Sequence, residues 1–325
     1  MNEQMVTYVE AIRLALREAM LRDDRVVVMG EDVGLGGGAF RATEGLQCEF
    51  GPDRVIDTPI SEAAFTGAAV GMALDGMRPV VEFQFSDFLT SGMNAIVNTA
   101  AKMHFRQRLP VPLVVRAPAA GGFSGGPFHS QNPEAWFLRT PGLKVACPAT
   151  AEDAGLLLAA AIRDPNPVLF FEQKSLYTRV KGTFAYDADA PLEGAAVRRP
   201  GSDVTVVSYG AALHLVLDAA ETLSSEGIEC EVVDLRVLSP LDFDSVRISV
   251  EKTSRCLVVH EDYPDYGVGA EVAARVAERL FEYLDAPVCR LGAKFWPIPF
   301  SPPLEQATLP TTDEIAEAIR ETVEF

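Results

Sequence analysis

Four places in this sequence set titratable or aromatic side chains at the ends of apolar runs: Glu31, Ser61-Glu62, Asp87-Phe88, and a glycine-rich loop ending in His129. In open α/β sheets ligands bind beyond the carboxyl ends of strands, so these are the positions where chemistry is expected. Glu62 follows a strand and opens a helix rich in small residues (Gly67, Ala68, Ala69, Gly71, Ala73), which permits close backbone approach. A helix dipole favours an acid there and lowers its pKa, whereas a carboxyl that shares a proton with a bound heterocycle needs apolar burial to raise it. Spacing alone leaves both readings open. His129 closes the stretch Ala-Gly-Gly-Phe-Ser-Gly-Gly-Pro-Phe; the other histidines (His104, His214, His260) do not sit in such a loop. Imidazole suits proton transfer near neutral pH, with a structural histidine as the alternative. His260-Glu261-Asp262 reads as a surface turn, and Phe83, Phe85 and Phe88 read as core aromatics.

One motif competes. Gly34-Leu35-Gly36-Gly37-Gly38-Ala39 matches G-x-G-x-x-A after a strand and before Asp57, the pattern of a nicotinamide-dependent dehydrogenase. Against it, Gly30-Glu31-Asp32-Val33 separates strand from first glycine, and the residues that follow, interrupted by Gly45, make a poor helix. A non-catalytic scaffold is a further alternative.

The elements that must position these groups alternate in type. Thr7 and Glu10 form a capping-box pattern before a helix with Val9, Ile12, Leu16 and Met20 on one face. Strands are expected at Val26–Met29, Val55–Asp57, Pro79–Phe85, Val111–Arg116, Leu143–Cys147 and Val168–Phe171. Helices are expected between them, capped by Ser61 and Thr150 and opened by Asn132-Pro133. After a stretch rich in Gly, Pro, Ala and charge (181–201), the alternation restarts at Val204–Ser208 and ends in a helix opened by Thr312. Continuous apolar strands alternating with helices imply an α/β protein of two domains, each a mostly parallel sheet flanked by helices. The boundaries expected are 1–185, a linker 186–200, and 201–325.

Composition narrows the function classes. A formal charge of −18 over 325 residues disfavours non-specific nucleic-acid binding and suits a basic protein partner. No apolar run approaches the ~20 residues of a membrane span. No signal-peptide zoning is visible, so a cytoplasmic setting is expected. The five cysteines are scattered, without metal-ligand spacing, and three of them (Cys147, Cys230, Cys256) lie in or beside apolar strands.

Taken in order, the segments Gly-Glu-Asp-Val (30–33), Asp-Thr-Pro-Ile-Ser-Glu (57–62), Glu-Phe-Gln-Phe-Ser-Asp-Phe (82–88), His-Ser-Gln-Asn-Pro-Glu (129–134), Pro-Gly-Leu-Lys-Val (141–145) and Ile-Arg-Asp-Pro-Asn-Pro (162–167) are specific. Together with Glu-Val-Val-Asp-Leu-Arg (231–236) and Glu-Lys-Thr (251–253), the set closely resembles the β subunits of branched-chain 2-oxo acid, pyruvate and acetoin dehydrogenases. The resemblance implies a thiamine-diphosphate pyrimidine-binding domain followed by a transketolase C-terminal-like domain. It further implies a two-α two-β heterotetramer with thiamine diphosphate at each α–β interface. In that family the α chain holds the diphosphate and magnesium through Gly-Asp-Gly…Asn, a motif missing from this sequence. By the same resemblance, Glu62 would hydrogen-bond the pyrimidine ring and share its proton, Phe88 would pack on that ring, and Glu31 would lie in an acidic path between cofactors. His129 would serve the 2-oxo acid substrate or acyl transfer to lipoyl. Potassium would bind at Leu113, Ala161, Ile162, Asp164 and Asn166, and the second domain would dock the subunit-binding domain of a lipoyl acyltransferase core. Phe88 stands where the family often has Tyr, a departure that bears on substrate rather than cofactor.

Overall fold

The computed structural model describes residues 4–187 and 190–325, which form two compact units. The first comprises residues up to 119 together with 136–192; the second comprises 120–135 together with 193–325. Residues 188 and 189 of the expected linker lie outside the described residues.

In the first unit, β1 (Gln4–Thr7) leads into α1 (Tyr8–Arg22), then β2 (Val26–Gly30), the short α2 (Leu46–Phe50), β3 (Val55–Asp57), α3 (Glu62–Leu74) and β4 (Arg78–Glu82). A long helical stretch follows: α4 (Leu89–Asn94), a π-wound segment Ala95–Ala100, and α5 (Ala101–Gln107). Then come β5 (Val114–Ala119), a short α6 (Glu134–Leu138), β6 (Lys144–Ala146), α7 (Ala151–Arg163), β7 (Val168–Gln173) and β8 (Lys181–Phe184). Strands β6, β7, β5, β4, β2 and β3 pair in that order, all parallel. Strands β2, β5 and β7 are buried along their whole length, as expected of strands covered on both faces.

The chain reverses its direction of winding around β2, with β3 on one side and β4 on the other. That reversal is the topological switch point, where loops diverge and leave a crevice at the strand ends. Its three flanking residues are in register: Gly30 faces both Asp57 and Glu82.

The second unit contains β9 (Ala196–Arg199), β10 (Val204–Ser208), α8 (Ala212–Ser224), β11 (Cys230–Asp234), β12 (Val237–Ser239) and α9 (Phe243–Thr253). It ends with β13 (Cys256–Val259), α10 (Val268–Arg279), β14 (Cys289–Leu291), α11 (Pro302–Gln306) and α12 (Thr312–Glu324). Its sheet runs β14-β13-β10-β11-β9, parallel except for the edge strand β9.

Helix starts follow local chemistry. Thr7 and Glu10 exchange the reciprocal bonds of a capping box, as do Thr311 and Glu314, and the Thr150 side chain accepts the Asp153 N–H. Ser61 differs from expectation: its side chain makes no capping bond, and its carbonyl accepts the Ala64 and Phe65 N–H groups instead. The segment expected as linker also differs. Backbone pairing draws β9 from it, alongside β11, and β8, just before it, lies alongside β1. Among the described residues, no helix is long and apolar enough to cross a membrane.

Candidate active site

At the switch point the ends of β2 and β3 are stitched together. Thr58 N–H donates to the Gly30 carbonyl (2.9 Å), and Gly34 N–H donates to Asp57 Oδ1 (2.6 Å). Asp57 therefore serves its own loop rather than a ribose. Residues 34–39 run through turns, with Gly37 and Gly38 at φ of 78° and 79°, and no helix begins there. The dinucleotide pattern is a loop that needs glycine for its backbone, without the helix N-terminus that would hold a pyrophosphate.

Glu31 emerges from β2 into this crevice and is buried, 4% exposed. Its Oε1 has no hydrogen-bond partner among the described residues. Burial, and then the nearby carboxylates of Glu62 and Asp32, push its carboxyl above the usual glutamate range. Glu62, first residue of α3, is half-buried. The structure thus brings Glu31 and Glu62 from the ends of two adjacent strands into one electrostatic neighbourhood.

Phe88 follows β4 and is half-buried, edge-on to Phe85 (6.0 Å, 89°). Phe85 meets Phe40 edge-on in turn (5.6 Å, 86°). Of the three phenylalanines expected in the core, only Phe83 is fully buried, packed edge-on against Phe65 (5.3 Å). Along α3, the small residues Ala63, Ala64, Gly67, Ala68 and Gly71 are exposed.

The five carbonyl-rich positions gather in one place. Val111 N–H donates to the Pro165 carbonyl, and Val168 N–H to that of Leu113, which lays Leu113 beside the turn after α7. Ala161 and Ile162 end that helix, and Asp164 Oδ1 accepts the Asn166 N–H (2.8 Å). Arg78 donates to the Ile162 carbonyl (2.8 Å) and Lys144 pairs with Asp164 (2.5 Å).

His129 lies in the loop that packs with the second unit, half-buried, its N–H donating to the Gly126 carbonyl (3.2 Å). The expected surface turn at 260–262 is wrong. His260, Glu261 and Asp262 are all buried, and Glu261 Oε1 accepts the Gly121 N–H (2.7 Å) from the His129 loop.

Residues 4–180 match the transketolase pyrimidine-binding domain, and residues 193–315 the transketolase C-terminal domain. The chain is 45% identical to the 2-oxoisovalerate dehydrogenase subunit beta of Bacillus subtilis, over 99% of both chains. It is 43% identical to the pyruvate dehydrogenase E1 component subunit beta of Rickettsia felis, over 97% of both. A split-gene transketolase, an inactive beta4 tetramer, shares the fold with a TM-score of 0.78, at 22% identity over 98% of both chains. The chain belongs to the β-subunit family of 2-oxo acid dehydrogenases. The relatives named here lend no support to the acetoin alternative over branched-chain 2-oxo acids or pyruvate.

Two features of this β-type chain escape a reading of sequence. Arg116, the last residue of an expected strand, is fully buried between Glu82 of β4 and Glu172 of β7. The only local signal was a charged residue closing an apolar run. The other feature is the buried His260–Asp262 segment. His260 stacks on Tyr209 (5.8 Å, 24°) and its Nε2 accepts the Gly269 N–H (3.1 Å). Burial lowers its pKa to about 4, while burial raises that of Asp262 to about 7.

These two shifts act oppositely on stability. As pH falls from 6.5 towards 4, the unfolded histidine binds a proton that the folded one refuses, so His260 costs stability. As pH falls from 7 towards 3.8, folded Asp262 holds a proton that the unfolded chain has lost, so it adds stability. The contributions offset in the shared window. Asp262→Asn is expected to unmask the histidine, so that the variant's melting temperature falls relative to wild type between about pH 6.5 and pH 4.5. Parallel pH profiles for the two proteins would reject this account.

Proposed function

We propose that this chain supplies the pyrimidine side of a thiamine-diphosphate site completed by an α chain, in a two-α two-β heterotetramer. The complex oxidatively decarboxylates a 2-oxo acid, branched-chain or pyruvate, and passes the acyl group to lipoyl. The observation that carries this reading is the pair of carboxyls at the switch point. Glu31 has an unpaired buried oxygen and a raised pKa, and Glu62 beside it is partly open. An unsatisfied buried acceptor needs a donor, and a heterocycle with ring nitrogens and an exocyclic amine provides one. The half-buried ring of Phe88, which follows β4 beside β2, offers an aromatic face worth ~1 kcal/mol beyond area burial when it stacks. The residues fit the cofactor's pyrimidine.

When bound, thiamine diphosphate supplies a nucleophilic carbon and an electron sink for loss of carbon dioxide. Glu62 holds and returns a proton at the pyrimidine nitrogen. Glu31, kept protonated to higher pH than an ordinary glutamate by burial and its acidic neighbours, can donate a hydrogen bond to the ring or to the Glu62 carboxylate. Phe88 orients the ring and excludes water. His129 orients the substrate carboxylate or donates a proton during acyl transfer.

The exposed small residues of α3 support an approaching partner backbone, because they present no side chains to keep it away. Magnesium belongs to the α chain in this reading. A potassium ion is assigned to the oxygens at Leu113, Ala161, Ile162, Asp164 and Asn166; a carbonyl that already accepts one hydrogen bond keeps a second lone pair, and hard oxygen donors suit the ion. The acidic surface suits a basic subunit-binding domain of a lipoyl acyltransferase core. Five free cysteines go with a reducing, cytoplasmic setting.

The test is reconstitution. The β chain alone should show no turnover; adding an α chain, thiamine diphosphate and magnesium should give decarboxylation of 2-oxoisovalerate or pyruvate in preference to cleavage of acetoin. His129→Ala should slow acyl transfer to a lipoyl domain by at least about tenfold and leave cofactor affinity within about threefold. A complex inert to every 2-oxo acid, or saturable binding of NADH to the β chain, would overturn the proposal.

A further inference from the structure

The loop that carries His129 has an unusual backbone. Ala120, Gly122, Ser124 and Gly126 alternate in the left-handed region, with φ of 73°, 81°, 61° and 71°. Alternation of this kind turns successive N–H groups to one side and makes a concave anion-binding nest. Here the anions are the protein's own. Gly122 N–H donates to Glu305 Oε1 (3.0 Å), and Ser124 donates to Glu305 Oε2 through its N–H (2.9 Å) and Oγ (3.2 Å). Gly121 N–H donates to Glu261 Oε1 (2.7 Å), which also accepts the Asn132 side-chain amide (3.4 Å). Both carboxylates are buried, at 4% and 8% exposure.

The carboxylates are themselves fixed. Glu305 sits on α11, and the chain just after that helix is anchored by Lys294 N–H to the Thr308 carbonyl (2.9 Å) and Trp296 Nε1 to Thr308 Oγ1 (2.9 Å). Glu261 stands two residues past the end of β13. The glycines leave no slack, since a Cβ on Gly126 would lie 2.4 Å from the Phe300 ring and one on Gly121 3.3 Å from Glu305 Oε1. At the base of the loop Ala120 N–H donates to the Gln131 carbonyl (3.0 Å). Non-glycine residues at positive φ persist only where their surroundings over-determine them, and charge-assisted bonds from two rigid supports do so here.

We propose that Glu305, with Glu261, is a positioning residue for acyl transfer: its carboxylate fills the nest of the 120–126 segment and so fixes the backbone that presents His129. The inference rests on the reading that His129 serves acyl transfer, and it adds the device that sets where the imidazole can go. A glutamine at 305 keeps the volume but turns an N–H₂ group towards a backbone donor, leaving one N–H of the nest unpaired.

In the assembled complex, Glu305→Gln should speed amide exchange at residues 121–126 by at least about tenfold, with other segments unchanged. It should lower kcat for acylation of a lipoyl domain by about ten- to thirtyfold, with KM for that domain unchanged. Substrate-dependent reduction of an artificial electron acceptor should stay within about threefold, because that assay bypasses lipoyl. Gly126→Ala, which disturbs the loop and leaves Glu305 in place, should give the same split and covers the case in which Glu305→Gln folds poorly. Unchanged exchange in Glu305→Gln, or equal losses in the two assays, would overturn the clamp. A wild-type complex inactive on every 2-oxo acid would overturn the functional reading instead, while the exchange measurement would still decide the clamp.

Discussion

In the reconstituted complex, Glu62→Gln is expected to fold normally and to lose at least about a hundredfold in kcat, or about 2.7 kcal/mol of transition-state stabilisation. Glutamine matches glutamate in volume and helix propensity but can neither take up nor release a proton at the pyrimidine. The structural cost is small, since position 62 is the first residue of α3, where losing an acid forfeits about 0.3–1 kcal/mol of dipole interaction. A second readout separates chemistry from folding. After burial, the charge of Glu62 does most to raise the Glu31 pKa, so its neutralisation should move the Glu31 carboxyl down towards its ordinary range. Carboxyl titration of Glu31 by NMR in wild type and variant checks this without any turnover. Activity within about threefold of wild type would remove Glu62 from the mechanism.

Much of this was legible because the signals are local. Most parallel strands announce themselves as apolar runs, and Thr7 and Thr150 cap helices through residues three positions away. Glu31 and Glu62 could be picked out because strand ends mark the crevice of an open sheet whatever the sequence around them. What was not legible depends on partners far along the chain. Glu261 reads as a surface acid until Gly121, 140 positions away, is seen to donate to it. Glu305 lies 181 positions beyond Ser124 and carries no mark of its role. Strand β9, with the residues Ala-Val-Arg-Arg, looks like linker because an edge strand pairs through its backbone and needs no apolar pattern. Ser61 shows the reverse failure, a residue of the right type whose side chain the local geometry leaves unused for capping.

Arg116 is the largest of these hidden features, and its removal is expected to be the most destabilising single change in the first unit. Its Nε and Nη2 donate to the two oxygens of Glu172 (2.6 and 2.7 Å), its Nη1 donates to Glu82, and Tyr177 donates its hydroxyl to Glu172 (2.7 Å). All three charged groups are at most 2% exposed. Arg116→Met should cost about 3–5 kcal/mol near neutral pH, because two carboxylates stay buried without a cation. The deficit has a definite pH dependence. Burial already raises the Glu82 pKa and Arg116 opposes it, so in the variant the buried Glu82 carboxyl holds its proton to higher pH than in the unfolded chain. The folded variant is then favoured by acid, and its deficit against wild type should shrink from pH 8 to pH 5. Adding Glu82→Gln and Glu172→Gln should recover much of the loss at pH 8. Equal deficits at both pH values, or no recovery in the triple variant, would show that the cluster is not held by charge. The cluster also bears on the site. A Cβ on Gly38 would stand 2.5 Å from Glu82 Oε1, and Gly38 N–H donates to the Asp32 carbonyl (2.8 Å), next to Glu31. A floor of three paired charges therefore lies beneath the turn that presents Glu31, and a variant that loosens the floor should lose activity along with stability.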